Sequence, residues 1–97
     1  MAVKRYACTL LYIAPGRMLR NAVVEVENDG SPVRWYALRE ELPFTEWLGG
    51  TVVFLPEGVE PAECGTQDLP LWMEQVFRKA GEGVPLRAWW DMSVRLG

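Results

Sequence analysis

A chain of 97 residues has room for one domain with one hydrophobic core and not for two. With 49% hydrophobic and 24% charged residues, a net charge of −3 and a pI near 4.9, it does not read as a disordered tail and lacks the positive footprint a phosphate backbone demands. No apolar run approaches the roughly 18 residues of a membrane span, and the absence of histidine removes imidazole chemistry altogether. Neither nucleic acid nor a membrane is expected as a partner.

In chain order, Val3 to Ile13 is rich in β-branched and aromatic residues and reads as a strand with Tyr6, Cys8, Leu10 and Tyr12 on one face. Pro15-Gly16 breaks it. Met18 to Glu27 alternates, with Ala22, Val24 and Val26 on one side and Asn21, Glu25 and Glu27 on the other. Asn28-Asp29-Gly30-Ser31 then gives a hairpin signal, because Asp and Gly both tolerate positive φ, and Val33 to Arg39 is the return strand. Together these pieces predict a three-stranded meander.

Glu40 to Thr45 is a polar loop around Pro43, followed by a fourth strand over Glu46 to Leu55. Gly49-Gly50 inside that strand predicts a bulge or bend, since glycine weakens a straight ladder. Glu57 to Thr66, punctuated by Gly58, Pro61 and Gly65, is a surface loop. Leu69, Trp72, Met73, Val76, Phe77 and Ala80 then recur at helical spacing and predict one amphipathic helix near 69–80, capped by Asp68 or Thr66 and closed by Gly81. From Leu86 to Leu96 apolar residues alternate with Arg87, Trp89, Asp91, Ser93 and Arg95, which predicts a last strand near 85–96. Everything belongs to one domain, 1–97: mainly β (α+β), a small antiparallel sandwich or barrel-like sheet with a single helix.

Two segments carry a resemblance. Asn21-Ala22-Val23-Val24-Glu25-Val26-Glu27-Asn28-Asp29-Gly30, followed after a spacer by Leu48-Gly49-Gly50-Thr51-Val52-Val53-Phe54-Leu55-Pro56, is similar in order and separation to the opening of the amidohydrolase superfamily, the metal-dependent hydrolases built on a β/α barrel. The match covers about the first 56 residues. In that family the segment is a β-sandwich-like accessory domain, and a His-x-His metal pair follows the proline. Here Pro56 leads to Glu57-Gly58-Val59-Glu60-Pro61, and about 40 residues remain where a barrel needs roughly 200. The resemblance therefore implies the accessory fold without the metal ligands or the chemistry.

No catalytic set is legible otherwise. Glu57, Glu60 and Glu63 form the best carboxylate cluster, but their spacing is not that of a hard-cation loop, so neither a metal nor a cofactor is expected. Cys8 and Cys64 lack a C-x-x-C partner, and the sequence leaves open whether they pair. With no signal peptide evident after Met1, a cytoplasmic chain with reduced thiols is the expectation. Five tryptophans in so short a chain are the remaining oddity. Core packing accounts for most, and Trp35, Trp47, Trp89 and Trp90 are the candidates for contact with a second copy, another protein chain or, alternatively, a small ligand.

Overall fold

The computed structural model describes residues 2–40 and 42–97, so Met1 and Glu41, the latter in the expected polar loop, lie outside it. Among the described residues seven strands form one mixed sheet, and one α-helix lies against it.

Strands β1 (Lys4–Ala14) and β2 (Arg17–Val26) are antiparallel and joined at Pro15-Gly16, where Gly16 takes φ +76°. The Asp-Gly turn forms as expected. Asp29 Oδ1 accepts the Ser31 N–H at 2.9 Å, Gly30 takes φ +86°, and β3 (Pro32–Ala37) returns antiparallel to β2. The meander is therefore as predicted, with β2 its central strand and the far flank of β1 left open for further pairing.

The expected fourth strand is two. β4 (Thr45–Trp47) and β5 (Thr51–Pro56) lie one after the other along that flank of β1, and both run parallel to it. The antiparallel expectation thus holds for the other pairings and not for these, because the loop after β3 carries the chain back across the meander before pairing resumes. Gly49 and Gly50, at φ +68° and +54°, make the break between β4 and β5. The Gly50 carbonyl accepts the N–H groups of both Thr9 and Leu10 at 3.0 Å. Two donors on one acceptor make a bulge, and β1 changes face there. Tyr6 and Cys8 share an interior with Leu11 and Ile13, whereas Leu10 is half-buried and Tyr12 packs on the opposite side. Opposite the bulge Asn21, at φ +49°, makes the matching flip in β2. The single apolar face of Tyr6, Cys8, Leu10 and Tyr12 is corrected accordingly.

Strand β6 (Leu86–Trp90) is antiparallel to β5, and β7 (Val94–Arg95) folds back on β6. The continuous strand expected over 85–96 is therefore a hairpin. Asp91 and Met92 both take positive φ, +55° and +56°, as mirror-image turns require, and Ser93 N–H bonds to the Trp90 carbonyl at 3.1 Å.

The sheet curls until the Ala88 N–H reaches the Gly30 carbonyl at 2.8 Å, which gives it a barrel-like interior. That interior holds Tyr6, Cys8, Leu11, Ile13, Ala22, Val24, Val26, Val52, Phe54, Ala88 and Leu96. Helix α1 (Leu69–Ala80) covers the outer side of β5 and β6, where Val53, Leu55, Cys64, Trp72 and Met73 make a second cluster. Asp68 is its cap, accepting the Leu71 N–H at 3.1 Å, and Gly81 ends it at φ +81°. Because β5 has apolar cover on both faces, it reads as a continuous apolar run rather than an alternating one.

Candidate functional site

On either side of Glu41, Leu38 and Leu42-Pro43 lie near Ala7 of β1, and two hydrogen bonds anchor the chain that follows. Arg5 Nη1 donates to the Pro43 carbonyl at 3.0 Å, and the Leu48 N–H bonds to the Ala7 carbonyl at 2.8 Å. Between them β4 sets Thr45 beside Arg5 and Trp47 beside Ala7. Ala7 is buried while Trp47 is 59% exposed, so the indole stands largely clear of the sheet it belongs to. Phe44 goes further: it is 97% exposed and holds φ +57°, a conformation that costs an L-residue with a bulky side chain about 1–2 kcal/mol. Val3, 46% exposed, lies with Phe44 along a second hollow edged by Lys4 and Glu46.

Beneath this surface runs an open groove of about 540 Å³ lined by Ala7, Leu38, Leu42, Pro43, Thr45 and Trp47. Among the described residues no charged side chain lines it. The arrangement can bury apolar groups of another molecule, and among the described residues Thr45 and Trp47 supply its polar side-chain groups.

The four sequence candidates are not brought together. Trp35 stands on β3, its ring edge-on to Phe54 with centroids 5.1 Å apart, and is 36% exposed at the mouth of the curled sheet. Trp47 stands on the far side of β1. Trp90 is half-buried against the sheet interior, its Nε1 donating to the Gly49 carbonyl at 3.2 Å. Trp89 faces the other way, under α1, and its buried Nε1 lacks a hydrogen-bond partner among the described residues. The break that Trp89 makes in the tail's alternation has the same cause as the pattern of β5: both faces of β6 are covered.

The carboxylates of Glu25, Glu57 and Glu63 and both thiols are committed to structure. Glu25 is only 7% exposed on the outer face of β2, and both its oxygens are held: Arg34 bonds to Oε1 and Oε2, while Arg5 and Tyr36 bond to Oε2. Burial pushes its carboxyl up, but the bonds from Arg34, Tyr36 and Arg5 outweigh that and hold it below its ordinary value. The interleaved cations and aromatics resolve the same way. Arg34 caps its own Tyr36 ring at 5.6 Å, and Arg87 bonds to Glu57 and Ser31. Glu63 accepts the Glu60 N–H at 2.8 Å, so the acidic loop is a short 3₁₀ turn, Pro61–Cys64, with Glu57 drawn away to Arg87. Cys8 and Cys64 are free and buried in different clusters; burial pushes Cys8 up to about 11 and also raises Cys64. Among the described residues no group of three or more Cys, Asp or Glu side chains converges as a cation site, and no helix is long and apolar enough to cross a membrane.

Sequence reasoning missed Phe44 and the Glu25 network. An aromatic in the middle of an otherwise polar loop was the available signal for Phe44. For Glu25 the signal was weaker: a carboxylate on the polar face of β2, with Arg34 and Tyr36 alternating on the next strand. No family model, no curated protein and no solved structure matches this chain.

Proposed function

We propose that this chain is a non-catalytic protein-interaction module whose contact surface is the β4 edge, with Phe44 and Trp47 as its anchors. One observation carries the reading: Phe44 is held in a strained backbone conformation while almost wholly in water. At 97% exposure the side chain gains almost nothing from its own chain to offset that strain, and strain of this kind concentrates where a molecule meets another. The aromatic pair, the apolar groove and the charged rim of Lys4 and Glu46 match the usual anatomy of such a surface, in which aromatics sit centrally and charges lie at the border. The likeness of the first 56 residues to a hydrolase accessory domain supports a scaffold role over a reactive one.

The groove also favours a second reading, a small-molecule module, since about 540 Å³ lies within the range of ligand pockets. It has few polar groups to orient a ligand, which is why the protein partner is preferred.

The test uses Phe44→Gly and Trp47→Ser. Glycine relieves the positive φ, so Phe44→Gly should melt at the same temperature as the parent or a few degrees higher. Quantitative capture from the native host should then show a defined set of proteins held by the parent and by a Glu82→Gln control, and lost from both surface variants. An identical capture profile for all four proteins sinks the reading. A small molecule that shifts the parent's melt, and not that of Trp47→Ser, would favour the second.

A further inference from the structure

Strand β3 ends the paired order of the sheet: β2 is bonded on one side, and on the other β6 approaches but, among the described residues, no strand is paired with it. Its hydrogen-bonding phase is fixed by the bond from Leu38 N–H to the Asn21 carbonyl at 2.7 Å together with the pairs Val23–Tyr36 and Glu25–Arg34. In an antiparallel ladder the bonded residues alternate, so Arg34, Tyr36 and Leu38 turn their backbone groups to β2. Trp35 and Ala37 turn theirs outward. Among the described residues, no side chain or loop bonds to either of them, and Val33, Trp35 and Ala37 are all exposed. Open rungs of this kind are a template for another strand.

We infer that the occupant of this edge is the β3 strand of a second copy, paired antiparallel about a two-fold axis at Trp35. The strand is self-complementary in that register. Trp35 meets Trp35 of the other copy, Arg34 meets Tyr36, and Val33 meets Ala37. Outward-facing residues must meet outward-facing ones, which leaves few alternatives. Centring on Arg34 would set the two guanidinium groups against each other, a destabilising cross-strand pair. Centring on Trp35 instead sets each Arg34 opposite a Tyr36, and neither guanidinium has to leave the Glu25 carboxylate and the tyrosine ring it holds within its own chain.

Pro32 and the register slip beside it stop the ladder at one end. About five residues a side then pair, against the roughly 20–30 of a standard interface, so the dimer forms and dissociates with concentration. This edge lies across β2 and β1 from β4, and the inference does not depend on the Phe44–Trp47 surface.

Light scattering over a concentration series up to about 1 mM should show the mass rising from 11.0 kDa toward twice that value, in the parent and equally in Phe44→Gly. Ala37→Pro removes an outward N–H that β2 does not use; it should keep the far-ultraviolet circular dichroism and stay monomeric throughout. Trp35→Cys should form a disulfide-linked dimer under mild oxidant. Residues facing each other as a bonded pair are about 5.5 Å apart at Cα, within disulfide reach, and the two native thiols are buried. A parent that stays at 11.0 kDa, a folded Ala37→Pro that still dimerises, or a Trp35→Cys that does not cross-link each overturns the inference. Should Ala37→Pro fail to fold, the cross-link decides alone.

Discussion

Glu25 shows how a charge can be held in a small sheet with little exposure to water. Its carboxylate lies under Arg34 and beside Arg5 and Tyr36, and removing one member of such a set strands the others. Because its folded pKa is held below the ordinary 4.5, the carboxylate's contribution to stability is complete above that value and is lost as pH falls through the lower, folded one. Glu25→Gln should therefore be less stable than the parent near about pH 7 and lose less on acidification to about pH 3, with the two denaturation curves converging. Parallel curves at both pH values would remove Glu25 from the account. At this scale little was legible in the sequence. Cys8 and most of the apolar core followed from strand alternation, but the same alternation puts Glu25 on the water side of β2, because it cannot show that Arg5 and Arg34 lie across it. Of the four tryptophans singled out, Trp47 stands clear, Trp35 is partly covered, and Trp89 and Trp90 are largely packed into the two clusters.

The elements were better foretold than their breaks. The helix runs over Leu69–Ala80 as its spacing predicts, and the meander pivots at Gly30. That glycine does more than supply φ +86°: a Cβ on it would come within 2.8 Å of the Leu96 carbonyl oxygen. Gly58 has a similar φ of +90° and open space around it, which makes it the natural control. Gly58→Ala should cost about 1 kcal/mol for its backbone alone, and Gly30→Ala about 2–3 kcal/mol, the excess being the displaced C-terminal segment. Equal losses in chemical denaturation would mean that the contact with Leu96 contributes nothing. The turn at Asp91-Met92 was hidden for a local reason. Such turns are normally announced by Asn-Gly or Asp-Gly, and methionine carries no preference for positive φ, so the alternation of the tail ran through the break unmarked. Gly49-Gly50 did announce its break, but not that the strand on either side would run parallel to β1.

For the whole molecule the decisive fact is that β5 contributes to both hydrophobic clusters, Val52 and Phe54 to the interior and Val53 and Leu55 to the side under α1. Neither cluster can loosen without stripping a face from the same strand, so the two should come apart together. Cys8 and Cys64 report on them separately. Both thiols should resist a maleimide in the native state and become reactive at one and the same denaturant concentration, resolved by peptide mass spectrometry. Release of Cys64 well before Cys8 would instead make the helix an independent unit. The parallel pairing of Leu10 with Thr51 has a kinetic corollary. A hairpin can zip from its turn, whereas β1 must wait for a distant stretch of chain to be captured through a large closed ring, at an entropic cost met before any contact rewards it. The capture of β5 beside a β1–β2 hairpin with one flank bare is therefore the expected slow step of folding, and a substitution in β5 such as Val53→Ala should slow refolding in stopped-flow more than one at the β6–β7 turn.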